Sequence, residues 1–247
     1  MAGIKWVLAS DIDGTLVGHG GESALVNFLN ERPEIGLVYL TGRTRANAEM
    51  LLDSYQFPHP LALATDIGAD IFWGPSLRVD ETWAFQQRRE WSPRRIMRAL
   101  EQVDGAFFQA RCSYWRIAYG MRDLDALAHA RAQLVRQGIP CRTLWDEEQR
   151  RMDVVPRNAL KGKALKYILS RLSIRPQQCF VAGDGENDCD LLSGRYRGVV
   201  VANGVLPFKE HLPSQIIRSP LEGAQGVLDG LRHFLDEPRV LQAEFAG

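Results

Sequence analysis

Short apolar segments recur along the chain and alternate with segments of helical spacing. The clearest apolar segments are residues 4–9, 35–40 and 178–182, and helical patterns stand at 45–54 and 162–172. Strands that alternate with helices in this way are typical of a parallel sheet with helices on its faces. The sequence therefore predicts an α/β fold with a doubly wound parallel sheet.

This alternation is interrupted in the middle of the chain. Residues 81–159 show a helix followed by two strands, and then the same order again, which predicts a small sheet with helices on one face. We therefore predict a Rossmann-like core domain formed by residues 1–80 and 160–247, and an inserted smaller α/β domain at 81–159. Within the core, residues 187–193 are predicted as a short helix, and Met50 is predicted to face inward.

The composition excludes several classes of protein. The 30 Lys and Arg residues balance the 30 Asp and Glu residues, and 45% of the residues are apolar. This apolar fraction is enough for a core, and the lack of a basic excess argues against a nucleic-acid partner. No apolar stretch approaches the ~20 residues of a membrane-spanning helix. With no signal peptide and no C-x-x-C spacing among four cysteines, we expect a cytoplasmic protein with reduced thiols. We also expect a monomer with no membrane partner.

Polar clusters follow the three apolar segments of the predicted core. The clusters are Asp11-Ile12-Asp13-Gly14-Thr15, Thr41-Gly42-Arg43 and Gly183-Asp184-Gly185-Glu186-Asn187-Asp188. Because ligands bind at the carboxyl ends of strands in an open parallel sheet, the clusters are predicted to share one edge. Any one of these acids could instead cap a helix or form a turn, but the full set favours a bound cation. Oxygen donors without a cluster of His or Cys indicate Mg²⁺.

The spacing within the clusters suggests how the chemistry is divided. Asp11 and Asp13 are two residues apart, so in extended backbone their side chains point the same way. One carboxylate can then attack while the other transfers a proton. The Thr41 hydroxyl and the Gly42 amide suit phosphate oxygens. Lys161, at the start of a predicted helix, adds a positive charge.

Taken together, these motifs resemble those of the haloacid dehalogenase-like phosphatase superfamily. The D-x-D-G-T motif matches residues 11–15, the second-motif threonine corresponds to Thr41, the third-motif lysine to Lys161, and G-D-x-x-N-D to residues 183–188. The inserted domain resembles the α/β cap called type IIB. Within that group the chain is most similar to the sucrose-phosphate phosphatase branch and its mannosylfructose-phosphate relatives, on the stretches 41–44, 115–119, 152–156 and 197–203.

The resemblance implies roles for individual residues. Asp11 would be the nucleophile that forms an aspartyl-phosphate, and Asp13 would be the general acid and base. The resemblance implies a Mg²⁺ site built from Asp11, the backbone carbonyl of Asp13, Asp184 and, behind them, Asp188. The implied phosphate- and substrate-binding residues of the core are Thr41, Gly42, Arg43, Lys161 and Asn187.

The inserted domain is expected to choose the leaving group of the substrate. Arg116 and Asp153 lie in its predicted strands and are candidate substrate contacts. The arginines between positions 88 and 98 either steer anions or form a solvated helix face. Asp66 differs from the less acidic residue that often precedes Gly68 in the relatives, which leaves the exact phosphosugar open.

The expected substrate is a sugar phosphate, with sucrose 6-phosphate first. A phosphatase of another glycosyl phosphate, of the mannosylfructose, glucosylglycerol or mannosylglycerate type, is the alternative within the same class. A phosphosugar mutase would share the aspartyl-phosphate but pass it to a sugar hydroxyl. A non-catalytic binding module is disfavoured because every catalytic position of the motifs is filled.

Overall fold

The structure is a computed structural model that describes residues 3–193, 195–205 and 212–236. In chain order its strands are β1 (Trp6–Ser10), β2 (Ile35–Leu40), β3 (Ala62–Thr65), β4 (Asp70–Trp73), β5 (Arg78–Val79), β6 (Ala106–Arg111), β7 (Ile117–Met121), β8 (Cys141–Asp146), β9 (Arg151–Pro156), β10 (Cys179–Gly183), β11 (Arg197–Val200) and β12 (Ile216–Arg218). Its α-helices are α1 (Glu22–Asn30), α2 (Arg45–Ser54), α3 (Glu81–Arg88), α4 (Pro93–Leu100), α5 (Leu124–Arg136), α6 (Lys161–Leu172) and α7 (Gly223–Asp236).

Contacts between Cα atoms divide the chain into two compact units. The second unit consists of residues 69–71 and 79–159, and the first contains the other residues that the structure describes. The predicted domain boundaries, at residues 80 and 160, and the roles of catalytic core and cap stay predictions.

An eight-stranded sheet has the order β12-β11-β10-β1-β2-β3-β4-β5. The central strand β1 pairs in parallel with β2 on one side and with β10 on the other, so that Leu8 stands opposite Leu37 and Phe180. The direction in which successive strands are added reverses at β1. Such a reversal opens a crevice at the carboxyl ends of the two strands that flank it. The predicted doubly wound parallel sheet is confirmed.

Helices of the first unit cover both faces of the sheet. On one face α1, α2 and α7 share a core whose members include Leu8, Phe28, Phe180 and Phe234. Helix α6 packs against β2 and β3 with its own buried residues, such as Leu165. Strands β2 and β10 are buried along their whole length, which explains their continuous apolar sequences.

The second unit has its own antiparallel sheet, in the order β6-β7-β9-β8. Helices α4 and α5 contact each other, and α5 packs against β6 and β7. Strand β7 is buried throughout, whereas β6 is an exposed edge strand. After α3, the second unit has one helix and two strands, repeated twice, as the sequence predicts.

Two local predictions were wrong. Residues 187–193 do not form an α-helix, and only a 3₁₀ turn over Glu186–Asp188 is present. The Asp188 side chain accepts hydrogen bonds from the Asp184 and Gly185 amides and so fixes this short turn to the end of β10. Met50 is 68% exposed rather than inward, and α2 buries Ala48 and Leu52 instead.

Helix α3 and strand β12 were not predicted. The basic and aromatic composition around α3 hides its periodicity, although Asp80 marks its start by accepting a hydrogen bond from the Trp83 amide at 2.8 Å. Strand β12 is three residues long, too short to show a period. None of the helices described combines the length and apolar character that crossing a bilayer requires.

Candidate active site

The three polar clusters follow three neighbouring strands of the parallel sheet. Asp11 follows β1, Thr41 follows β2, and Asp184 follows β10. The Asp11 amide donates to the Ala182 carbonyl at 3.0 Å, and the Thr41 amide donates to the Ala64 carbonyl at 2.9 Å. The ladder therefore continues one residue past each strand, and it fixes both residues at the same edge of the sheet.

A fully buried lysine lies at the centre of the site. Lys161, the first residue of α6, donates from Nζ to Oδ1 of Asp11 at 2.5 Å and to Oδ1 of Asp188 at 2.8 Å. Its Nζ also lies 3.4 Å from Oδ1 of Asn187. Although burial alone would lower the pKa of Lys161, the charges of Asp11 and Asp188 raise it above its usual value. Lys161 therefore stays charged, and it offsets part of the negative charge around it.

The carboxylates outnumber this one positive charge. One oxygen each from Asp11, Asp184 and Asp188 lies within 4.8 Å of the others. Burial raises the pKa of Asp11 well above its usual value, and the charges of Asp188 and Asp184 raise it further, against the opposing effect of Lys161. Burial and the charge of Asp188 likewise raise the pKa of Asp184. A cation bound among these oxygens would relieve the repulsion.

These residues fit a Mg²⁺ ion by the chemistry of their donors. All three side chains offer oxygen, and one member, Asp188, is fully buried. The carboxylate of Asp13 is not part of the group, because it is bound to Arg43. The resemblance assigns the backbone carbonyl of Asp13 to the metal, and that assignment stays a prediction.

Close packing around Gly14 fixes the position of Asp184. Gly14 has a φ of +77°, and a Cβ at this position would lie 2.3 Å from Oδ2 of Asp184. Thr15 donates from Oγ1 to the other oxygen, Oδ1 of Asp184, at 2.9 Å. The glycine of the D-x-D-G-T motif is thus required by both its backbone conformation and its neighbour.

The loop after β2 presents groups suited to a phosphate. Oγ1 of Thr41 accepts from the Arg43 amide at 3.0 Å, which leaves the hydroxyl proton available to another acceptor. A Cβ added to Gly42 would meet only Ile67 Cγ1, at 3.7 Å, so the space beside this residue is open. The Ile67 amide donates to the Thr41 carbonyl at 2.9 Å and fixes the loop from behind.

Asp66 and its neighbour Ile67 support this loop. The Asp66 amide donates to the Arg43 carbonyl at 2.9 Å. Asp66 and Ile67 both have left-handed backbone conformations, with φ of 48° and 63°, which are costly for residues other than glycine. The strained segment therefore acts as a brace for residues 41–43. Whether Asp66 selects the phosphosugar stays a prediction.

Asp13 and Arg43 form an ion pair at the same edge. Arg43 Nε donates to both carboxylate oxygens of Asp13, at 2.9 and 2.8 Å, and one Nη donates to Oδ1 at 2.6 Å. The hydrogen bonds to Asp13 raise the pKa of Arg43 above its usual value. Asp13 thus differs sharply from Asp11, which is buried beside Lys161. The predicted contact of Arg43 with substrate stays a prediction.

The candidate substrate contacts of the inserted segment pair with each other. Arg116 Nη lies 3.9 Å from Oδ2 of Asp153, and Arg151 Nε lies 3.3 Å from Oδ1 of Asp153. Burial raises the pKa of Asp153, against the opposing charges of Arg151 and Arg116. The arginines between 88 and 98 are all exposed, as on a solvated helix face. The substrate roles of Arg116 and Asp153 stay predictions.

Two supporting residues were not singled out from the sequence. Asn203 donates from Nδ2 to the Gly14 carbonyl at 2.8 Å, and its Oδ1 accepts from the Gly223 amide at 2.9 Å. Asp190 accepts from the Gly162 amide at 2.8 Å and so satisfies the start of α6, beside Lys161. The sequence held two signals for these residues: the turn-forming pair Asn203-Gly204, and the position of Asp190 just after the motif at 183–188.

Comparison with known families decides the class of protein. A family model described as sucrose-6F-phosphate phosphohydrolase matches residues 4–235. The chain belongs to this family. As a member of the sucrose-6F-phosphate phosphohydrolase family, it is a phosphoric monoester hydrolase of the sugar-phosphate phosphatase kind, which confirms the predicted enzyme class and the resemblance.

Individual members and relatives of the sucrose-6F-phosphate phosphohydrolase family are similar over most of the chain. The mannosylfructose-phosphate phosphatase of Agrobacterium fabrum is 26% identical over 248 residues, which cover 94% of this chain and 98% of that protein. The glucosylglycerol-phosphate synthase of Pseudomonas anguilliseptica is 29% identical over 241 residues, which cover 92% of this chain but 30% of that protein. The chain therefore spans less than a third of that synthase.

A solved structure confirms the fold of the family. The sucrose-phosphatase from Synechocystis, in complex with sucrose and phosphate, is similar with a TM-score of 0.82 and 24% sequence identity. The similarity covers 94% of this chain and 98% of that one. At this identity the similarity establishes the architecture, and the substrate is a separate question.

Proposed function

We propose that the chain is a Mg²⁺-dependent phosphatase that hydrolyses a disaccharide phosphate through an aspartyl-phosphate on Asp11. Sucrose 6-phosphate is the first candidate substrate. The observation that carries the proposal is the buried Asp11 carboxylate at the end of the central strand, beside Lys161 and two further carboxylates. The description of the family supports the choice of sugar.

In the first half-reaction, an oxygen of Asp11 attacks the phosphorus of the substrate. The new bond between Asp11 and phosphorus forms as the bond between phosphorus and the sugar oxygen breaks. Asp13 donates a proton to that oxygen, so that the sugar leaves as a neutral alcohol. The Thr41 hydroxyl, the Gly42 amide and Lys161 bind the phosphoryl oxygens while charge shifts onto them.

In the second half-reaction, water attacks the phosphorus of the aspartyl-phosphate. Asp13 accepts a proton from this water, and Asp11 leaves as a carboxylate. The net reaction consumes one phosphate ester and one water, and it yields one sugar alcohol and one inorganic phosphate. Both carboxyl groups return to their starting states.

Mg²⁺ would be held by Asp11 and Asp184, with Asp188 and Asn187 behind them as groups that orient Lys161 and the ligands. Bound there, the ion supplies positive charge that offsets the carboxylates and the phosphate. Lys161 supplies a second positive charge, which is fixed by the fold. These two charges are our reason for proposing that the site accepts an anionic phosphate.

Phosphate release over a panel of sugar phosphates tests the proposal. The panel contains sucrose 6-phosphate, mannosylfructose phosphate, glucosylglycerol phosphate and trehalose 6-phosphate, assayed with Mg²⁺. We expect the highest kcat/KM with sucrose 6-phosphate. The relatives make mannosylfructose phosphate and glucosylglycerol phosphate the alternatives. A requirement for a sugar bisphosphate would indicate a mutase, and no release from any ester by the parent enzyme would overturn the proposal.

A further inference from the structure

The ion pair between Arg43 and Asp13 differs from an ordinary surface contact in its geometry. Three hydrogen bonds of 2.6 to 2.9 Å join the planar guanidinium to both oxygens of the carboxylate. Such a pair fixes the plane of the carboxylate as well as its position, which a lysine at the same place would not do.

The backbone of Arg43 is held as firmly as its side chain. Its amide donates to Oγ1 of Thr41, and its carbonyl accepts from the Asp66 amide at 2.9 Å. Asp13 lies in the loop after β1, and Arg43 lies in the loop after the neighbouring β2. The ion pair therefore joins the loop that carries the nucleophile to the loop that carries Thr41.

Stability is a poor explanation for this pair. The side chains of Arg43 and Asp13 are 37% and 48% exposed, and ion pairs with this exposure contribute little to folding. Three hydrogen bonds fix Arg43 and Asp13 at an exposed edge with little gain in stability. A role of Asp13 in the reaction explains this arrangement better than folding does.

We propose that Arg43 is the positioning residue for Asp13: it holds one carboxyl oxygen, so that the other oxygen, once it has taken up a proton from water, faces the leaving oxygen. This inference rests on the proposed function, and it replaces a direct contact between Arg43 and the phosphoryl group. Asp13 is flexible in principle, with a half-exposed side chain, and Arg43 removes that freedom.

Aryl phosphates with different leaving groups separate the two roles. Phenyl phosphate and p-nitrophenyl phosphate have the same phosphoryl group and nearly the same size, but only the phenolate needs help from an acid in order to leave. A residue that acts through Asp13 matters more for phenyl phosphate, whereas one that binds the phosphoryl group matters equally for both. The value of kcat/KM reports this step, because it includes only events up to formation of the aspartyl-phosphate.

The experiment compares Asp13→Asn, Arg43→Gln and the double variant on both esters. We expect Asp13→Asn to lose about 10²–10⁴-fold in kcat/KM on phenyl phosphate, the usual contribution of a general acid, and markedly less on p-nitrophenyl phosphate. Arg43→Gln should show the same preference with a smaller loss. The double variant should lose no more than Asp13→Asn alone, since Arg43 then has nothing to position.

Several results would overturn the inference. Equal losses on the two esters for Arg43→Gln, or losses that multiply in the double variant, would indicate direct binding of the phosphoryl group. An unchanged kcat/KM in Arg43→Gln would indicate that Asp13 needs no orientation. Arg43→Lys adds a further test, because a point charge without the planar fork should restore only part of the loss on phenyl phosphate.

A matched control and a separate readout keep the outcomes distinct. Arg45 lies two residues further on and pairs with Glu49 at 2.7 Å, so Arg45→Gln removes a neighbouring charge without touching Asp13. We expect this variant to keep the parent ratio of the two kcat/KM values.

If the parent enzyme hydrolysed neither the aryl esters nor any sugar phosphate, the proposed function would fail and the role of Arg43 would fail with it. If the parent is active and only the ratio in Arg43→Gln is unchanged, the inference about Arg43 alone is wrong.

Discussion

Lys161 donates to the carboxylate of Asp11 at 2.5 Å, although 150 residues separate the two along the chain. The same ammonium donates to Asp188 at 2.8 Å, and all three groups are buried. Charges removed from water are tolerated only while they are paired. Asp11, the proposed nucleophile, is therefore held in place by Lys161, and we expect the local stability of the site to depend on the same lysine.

Replacing Lys161 should destabilise the protein strongly. Lys161→Met leaves Asp11 and Asp188 buried without their shared partner, and we expect the free energy of unfolding in EDTA to fall by about 3–5 kcal/mol. Mg²⁺ should recover part of this loss. Urea unfolding measures both values, with Lys166→Met, an exposed position of the same helix, as the control. Equal stability of the two variants would contradict the pairing described here.

The opposite effect on stability is expected for Asp11, the proposed nucleophile. Asp11→Asn keeps the volume of the side chain but removes the attacking oxygen anion, so phosphate release should become undetectable. Because burial and two neighbouring carboxylates raise the pKa of Asp11, a neutral amide is easier to bury than the carboxylate. We therefore expect the thermal midpoint in EDTA to stay the same or to rise. Appreciable turnover in this variant would exclude Asp11 as the nucleophile.

Asp184 connects stability to pH and to the metal. Burial and Asp188 raise its pKa, so the folded chain holds this proton more tightly than the unfolded chain. Its contribution therefore makes the free energy of unfolding fall as pH rises from the usual carboxyl pKa through the raised one. We expect the Asp184→Asn variant to lack this part of the pH dependence of the free energy of unfolding. Its thermal midpoint at neutral pH in EDTA should be higher than that of the parent. The same variant should lose activity and the thermal stabilisation by Mg²⁺. A lower midpoint in EDTA, or an undiminished response to Mg²⁺, would count against the assignment.

Two glycines offer a matched test of the D-x-D-G-T loop. Gly14 and Gly20 have similar left-handed backbones, with φ of +77° and +82°. An added Cβ meets Asp184 at 2.3 Å in the first case and nothing within 4 Å in the second. Both alanine variants should lose about 1 kcal/mol or more from backbone strain. Only Gly14→Ala should also weaken Mg²⁺ binding, measured by titration of activity and of the thermal midpoint, because it displaces Asp184. Similar weakening in Gly20→Ala would show that strain alone is responsible.

The alternation of strands and helices was sufficient to predict the parallel sheet. Strands such as β2 are buried on both faces, so their sequences are continuously apolar and bounded by polar turns. Local sequence pattern does not predict secondary structure correctly where tertiary contacts determine the conformation or where the element is very short. The 3₁₀ turn at 186–188 is fixed to the end of β10 by the Asp188 side chain, and α3 is amphipathic only weakly. Met50 has the spacing of an inward-facing helical residue, but its side chain is exposed in the structure.

The candidate site was predictable as a set of residues but not as a set of contacts. The positions of Asp11, Thr41 and Asp184 follow from the rule that parallel strands carry ligands at their carboxyl ends. The pairing of Asp13 with Arg43 depends on the register of two neighbouring loops, which no spacing in the sequence encodes. The same is true of Asn203, whose partners are far from it along the chain.

Asn203 makes the loop at residues 11–15 depend on a part of the chain that is synthesised much later. Its side chain joins the Gly14 carbonyl to the amide of Gly223, the first residue of α7. A nascent chain that has emerged only as far as residue 184 already contains Asp11, Thr41, Lys161 and Asp184. It nevertheless lacks the amide bridge that secures the turn after Asp13. We therefore expect the loop to reach the arrangement described above only after the start of α7 has been synthesised.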